Sequence, residues 1–213
     1  METRMREIHA RNANKVKIGV IPGHFATNHS HVNYYVDMTA VKTSSAIARE
    51  AASLLAQEYM MGTNIDTIVC LEGTEMLGAF LAQALSDASI PILNAGHDIS
   101  VITPELNASN QMIFRDNTQK KIWEKHVLLL MASVSTGKTI NRAVECLQYY
   151  GGKLVAISAI FSAAAESRGI KINSIFSPGD LPEYQSYGTG DCPLCAARKK
   201  VDAIVNSYGY SKI

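Results

Sequence analysis

Residues 127–139 read Val-Leu-Leu-Leu-Met-Ala-Ser-Val-Ser-Thr-Gly-Lys-Thr. The first four are apolar, as a strand buried on both faces requires. Small and hydroxylated residues follow, and then a segment of helical period over residues 138–150, closed by Gly151 and Gly152. A loop that opens a helix in this way leaves backbone N–H groups without partners inside the helix. The helix dipole adds positive potential at the same end. The layout is that of a phosphate cradle, and its candidate binding residues are Ser135, Thr136, Gly137, Lys138 and Thr139.

Working outward, the pattern alternates between short apolar runs and helical stripes. Residues 43–61 carry Ile47, Ala51, Leu54, Leu55 and Tyr59 at helical spacing, with Thr43 or Ser44 as the cap and Gly62 as the stop. Residues 66–71 read as a buried strand, after which Glu72-Gly73-Thr74 turns into a helix with Leu77, Phe80, Leu81, Ala84 and Leu85 inward. Further strands are expected at residues 90–93, around 111–114, at 154–160 and at 172–176, and a short amphipathic helix through Val201, Ile204 and Val205. Strands alternating with helices predict a parallel α/β sheet with helices on both faces. Ligands of such sheets lie beyond the carboxyl ends of the strands. The loops beginning at Glu72, Asn94 and Ala132 are therefore expected along one edge.

Bulk properties exclude several classes of function. The chain has 213 residues, 47% hydrophobic, with twenty basic against nineteen acidic side chains and a formal charge of +1. That balance suggests neither a nucleic-acid nor a membrane partner. The first seventeen residues lean basic and are read as a solvated helix face. No apolar stretch has the layout of a signal peptide or the length of a membrane span, and four cysteines do not make a disulfide framework. A cytoplasmic protein is the expectation.

Two families end a buried strand with such a loop. Residues 132–139 fit the Walker A spacing if alanine replaces its first glycine, but a P-loop nucleotidase needs an acid at a second strand end to hold magnesium. The downstream run ends Ala159-Ile160-Phe161-Ser162, without one. The second family accounts for more of the chain. Residues 127–130 with Ser135, Thr136, Gly137 and Thr139 resemble the diphosphoribosyl-binding motif of type I phosphoribosyltransferases. Gly23-His24-Phe25-Ala26-Thr27, His29-Ser30-His31 and Tyr34-Tyr35-Val36-Asp37 resemble the N-terminal segment of orotate phosphoribosyltransferase, one residue shorter. The order of elements agrees over residues 20–176.

The resemblance implies a phosphoribosyltransferase-type parallel sheet flanked by helices, within a single domain spanning 1–213. Its core would cover about 43–176, with a small hood from 1–42 and 177–213. It also implies a phosphoribosyl or nucleotide ligand, magnesium as cofactor, a homodimer, and transfer of phosphoribosyl to a pyrimidine-like base, with Phe25, His29, His31, Tyr34 and Tyr35 on the base or hood side. Three departures bear on activity. The motif's two acids are Met131 and Ala132 here, and neither accepts a ribose hydroxyl. The pyrophosphate loop becomes Glu72-Gly73-Thr74-Glu75, whose carboxylates repel pyrophosphate unless a metal intervenes. The mobile loop, which in orotate enzymes begins with Arg-Lys, begins with Thr103-Pro104 if Ile99 to Ile102 is the preceding strand, and the nearby cations Arg115, Lys120, Lys121 and Lys125 sit later. Glu72, Glu75, Lys120 and Lys121 are the catalytic candidates. A non-catalytic nucleotide or sugar-phosphate binding regulator is the alternative reading, with a P-loop nucleotidase third.

Cys192-Pro193-Leu194-Cys195 supplies half of a zinc shell, with no second pair at zinc-finger spacing. It reads as half of a site shared across a dimer, as a redox pair, or as two small residues in a tight turn. The tight turn is placed ahead of zinc. Cys70 and Cys146 read as small core residues.

Overall fold

The computed structural model describes residues 2–213 apart from 109, 110, 136 and 189. The N-terminal strands β1 (Arg6–Ala10), β2 (Ala13–Ala26) and β3 (His31–Asp37) precede helices α1 (Thr39–Thr43) and α2 (Ser45–Ala56). Then come β4 (Thr67–Cys70), α3 (Glu75–Leu85), β5 (Ser100–Ile102), the pair β6 (Glu105–Leu106) and β7 (Met112–Ile113), and α4 (Asp116–Gln119). Next are β8 (His126–Val134), α5 (Lys138–Tyr149), β9 (Lys153–Ser162), β10 (Glu166–Ser167) and β11 (Ile170–Phe176). The tail adds β12 (Ser186–Tyr187), α6 (Pro193–Ala196), β13 (Ala203–Asn206) and β14 (Gly209–Lys212).

Two sheets divide the work. One has the order β10-β11-β9-β8-β4-β5, parallel throughout except for β10. The strand that decides the fold, β8, lies inside it between β9 and β4. Its side chains alternate between faces, as a strand must. Leu128, Leu130 and Ala132 pack with α2 and α3 through Leu55, Leu77 and Leu81. Val127, Leu129 and Met131 pack with α5 through Ile140, Val144 and Leu147. Helices thus cover both faces, and the apolar run of residues 127–130 is explained by double burial.

The other sheet runs β12-β3-β2-β13-β14, with β1 on β2. Its members come from both ends of the chain: β13 pairs in parallel with β2, Ala203 opposite Phe25. Phe25, Val32, Tyr35, Ala203 and Val205 form its own small apolar core.

Several local expectations change. Residues 90–93 form turns rather than a strand, and Ile90 and Leu93 are exposed. The sheet takes its edge strand ten residues later, at β5. Asn94 consequently precedes β5 and does not follow a strand. It is buried at the opposite end of the sheet, where its side chain accepts the Ile65 N–H and donates to the Thr63 carbonyl. The expected helix through Val201, Ile204 and Val205 is the β13–β14 hairpin. Ala203 and Val205 are buried and Ile204 between them is exposed, a period of two instead of 3.6. The basic N-terminus, expected as a helix face, is the antiparallel β1–β2 hairpin, with Ile8 opposite Ile18. Among the described residues no helix is long and apolar enough to cross a membrane.

Candidate functional site

A cleft of about 490 Å³ opens between the two sheets at the carboxyl ends of β4, β5 and β8. Its floor is the loop from β8 to α5, with Ser135, Gly137, Lys138 and Thr139 on the lining and Arg142 one turn further along α5. Gly137 takes φ +72° at the helix N-cap, a left-handed conformation that glycine enters without steric cost. Thr136 of the same expected set lies outside the described residues.

Facing the loop stand Glu72, Gly73 and Glu75, at the end of β4. Glu72 has φ +62°, a strained value for a side chain of this kind, and the surrounding contacts hold it there. The Thr74 hydroxyl, fully buried, donates to the carbonyls of Leu71 and Leu130 and ties this turn to β8. Lys42 Nζ donates to the Glu72 carbonyl at 3.3 Å and to the Ser207 carbonyl. The Glu72 carboxylate accepts the Ser133 N–H at 3.0 Å. Burial pushes the Glu72 carboxyl above its ordinary value, against the pull of the Ser133 and Ala132 amides and of Lys42. Burial likewise lowers the Lys42 ammonium, opposed by Glu72, Asp37 and Glu75. Lys42 carried no motif in the sequence, since its role depends on contacts 30 and 165 residues away. Glu75 begins α3, where the dipole favours a carboxylate, and accepts the Thr103 hydroxyl at 3.0 Å.

The third wall is the hood. Tyr34, Tyr35 and His29 line the cleft beside Asn206, Ser207 and Tyr208 of the β13–β14 turn. Tyr34 Oη donates to Glu183 at 2.6 Å. Tyr35 is buried, which pushes its hydroxyl up to about 12. Phe25 and His31, expected on the same side, do not line the cleft. Phe25 fills the hood core, and His31 faces away toward Cys195.

Lys120 and Lys121 are also misplaced by the sequence reading. They precede β8 and so lie near its amino end, opposite the cleft, with Lys120 in a separate hollow lined by Trp123, Tyr149 and Tyr150. Arg115 is held by Glu105 through two bonds of 2.7 Å. The cations on the cleft lining are Lys138 and Arg142. Met131 and Ala132 lie inside β8, which continues to Val134, and both are buried in the core.

No protein-family model matches this sequence, and no curated protein does. Solved structures do. UMP synthase of Leishmania donovani aligns over 76% of this chain and 34% of its own, at 18% identity and a TM-score of 0.55. Orotate phosphoribosyltransferase of Mycobacterium tuberculosis H37Rv aligns over 76% of this chain and 91% of its own, at 17% identity and a TM-score of 0.53. The chain has a type I phosphoribosyltransferase fold. Adenine phosphoribosyltransferase of Thermoanaerobacter pseudethanolicus, at 16% identity and a TM-score of 0.50, covers 83% and 96% of the two chains. Solved orotate and adenine phosphoribosyltransferases thus share this fold. The P-loop nucleotidase reading loses its footing, because β9 beside the loop strand ends at Ser162 without an acid.

Proposed function

We propose that the protein binds a 5-phosphorylated ribose ligand, either phosphoribosyl diphosphate or a nucleotide, in the cleft between the sheets. The observation that carries this reading is the convergence, on one cavity, of the α5 N-terminal loop, the Glu72–Gly73 turn and the aromatic hood. The 5-phosphate would sit on the backbone amides and hydroxyls of Ser135, Gly137, Lys138 and Thr139, where the α5 dipole favours an anion. Lys138 and Arg142 add charge on the same wall. The M. tuberculosis enzyme forms a complex with 5-phospho-α-D-ribosyl 1-diphosphate, which supports the ligand class.

Transfer of the phosphoribosyl group to a pyrimidine-like base at Tyr34, Tyr35 and His29 is the first reading of the chemistry. Such a transfer builds positive charge on the sugar, so the protein's part is positioning and electrostatic stabilisation. Glu72 is the carboxylate best disposed for it. It leans on the end of β8 at Ser133, beside the positions where the resemblance expects two acids. A magnesium ion would find oxygen donors on Glu72 and Glu75, completed by diphosphate and water, and would neutralise the departing pyrophosphate. Binding without transfer is the second reading, favoured by the apolar, buried Met131 and Ala132.

Calorimetry with phosphoribosyl diphosphate, ribose 5-phosphate, orotate, UMP, AMP and ATP, with and without magnesium, separates these. Magnesium-enhanced diphosphate binding together with orotate turnover supports transfer. Tight nucleotide binding without turnover of any base supports the regulator. Failure of every phosphoribosyl ligand to bind removes the proposal.

A further inference from the structure

Away from the cleft, four side chains from three parts of the chain meet at one point: His24, His31, Cys192 and Cys195. One ligand atom from each lies within 4.8 Å of all the others. Cys192 Sγ is 3.5 Å and Cys195 Sγ 3.6 Å from His24 Nε2. His31 Nδ1 is 3.2 Å from Cys195 Sγ and 2.9 Å from His24 Nε2. Zinc bonds of about 2.0–2.3 Å to nitrogen and sulfur place the corners of a tetrahedron roughly 3.3–3.8 Å apart. Three of these four separations are close to that size, the two imidazoles are slightly nearer, and Cys192 Sγ lies within 4.8 Å of both Cys195 Sγ and His31 Nδ1. Both cysteines are free thiols.

The fold presents these groups for binding. Between Pro22 and Phe25 the register of β2 against β3 slips by one residue, a bulge that turns His24 inward. Gly23 allows this bulge, since a Cβ there would stand 2.6 Å from Asp202 Oδ2. Asp202 satisfies the backbone at the bulge: its carboxylate accepts the His24 N–H at 2.8 Å, and its own N–H donates to the His24 carbonyl at 2.7 Å. His24 is fully buried, and its Nδ1 lies 2.8 Å from the Lys199 carbonyl. A carbonyl only accepts, so Nδ1 carries the proton and the Nε2 lone pair points into the cluster. That is how a metal-binding imidazole is held by its outer shell. Cys192 and Cys195 stand one helical turn apart at α6, on the same side.

We propose that His24 Nε2, His31 Nδ1, Cys192 Sγ and Cys195 Sγ form a structural zinc site. Two sulfurs and two nitrogens in a tetrahedron select zinc over the oxygen-seeking divalent ions. Four protein ligands close the shell and leave no position for substrate. Binding releases the two thiol protons, and His24 keeps the proton on Nδ1. The two histidine ligands bracket residues 27–29, which line the cleft. The metal would therefore clamp the C-terminal tail to the rim of the hood. The site is complete within one chain, so no dimer is needed to supply its second half.

The test is metal analysis of the full chain purified under reducing conditions, followed by cobalt(II) substitution, and it does not depend on what the cleft binds. Zinc near one equivalent per chain is expected, with thiolate-to-cobalt charge transfer and tetrahedral ligand-field bands in the cobalt form. His31→Ala and Cys195→Ser, at positions that are not fully buried, should each lower retained zinc at least tenfold after dialysis against a chelator. His97→Ala, at an exposed histidine elsewhere, should retain it. If a variant is poorly folded, zinc-dependent thermal stabilisation of the unmodified chain is the second readout. Zinc below a tenth of an equivalent after reconstitution, or cobalt spectra without a thiolate band, would overturn the site. A Cys192–Cys195 disulfide with no metal uptake would overturn it too and leave the pair a redox couple.

Discussion

Glu72 joins conformational strain, burial and a charged partner in one residue. Because its carboxyl is raised from an ordinary value of 4.5, the folded chain holds that proton more tightly than the unfolded one. Its contribution to stability is thus greatest at low pH and declines as pH rises above 4.5 through the raised value. Glu72→Gln should remove that decline, and the difference in unfolding free energy between variant and parent, measured by denaturant titration across this range, should move in favour of the variant as pH rises. A difference that stays flat with pH would contradict the burial argument. At the loop, Thr139→Val keeps shape and removes a hydroxyl. If that hydroxyl meets the phosphate, the ligand's Kd should rise about tenfold, as loss of roughly 1.4 kcal/mol requires; unchanged Kd in calorimetry would take Thr139 out of the cradle.

At the scale of elements, the contact of α3 with β4 rests on Gly78. A Cβ on Gly78 would stand 2.4 Å from Cys70 Sγ and 3.2 Å from Val101 Cγ1. Gly78→Ala should therefore destabilise by about 1–3 kcal/mol through overpacking, even though alanine is the better helix former. Adding Cys70→Ala should recover part of the loss, and a double-mutant cycle by thermal unfolding reads the coupling. Cys70 is read as a core residue from the sequence, and its burial pushes the thiol up to about 12, so it is an inert packing group. Elements whose period runs long enough to count are legible in the chain: α2, α3, α5, β8, β9 and β11. Residues 90–93, the N-terminal hairpin and the tail are not. Three apolar residues around Pro91 (Ile90, Ile92 and Leu93) suit a strand only if a neighbour is there to pair with them. Val201, Ile204 and Val205 sit at helical spacing, and the pairing of β13 with β2 and β14 overrode it.

At the scale of the whole molecule, Lys42 is a polar tie that spans the two sheets. It joins the Glu72 turn of the parallel sheet to the Ser207 turn of the hood. Lys42→Met preserves most of the stem and removes both bonds. Truncating a charged hydrogen-bond donor that leaves acceptors inside costs about 1.5–3 kcal/mol. The expected outcome is faster hydrogen exchange at residues 203–210 and weaker ligand binding, with β8 and β9 still protected. Exchange unchanged in the hood would show that the tie carries little.

The sequence by itself determined what is local and periodic. Residues 127–139 specify a doubly buried strand, a glycine turn and an amphipathic helix, because apolar period and glycine conformation act within a few residues. From those came the parallel sheet and the edge on which a ligand would sit. Only the tertiary structure decided which side chains share a site. His24 and His31 join Cys192 and Cys195 across more than 160 residues. Lys42 reaches Glu72 and Ser207, while Lys120 and Lys121 fall at the far end of the strands. Such convergence is set by the direction of each strand and by one bulge in β2, and neither leaves a periodic signal in the chain.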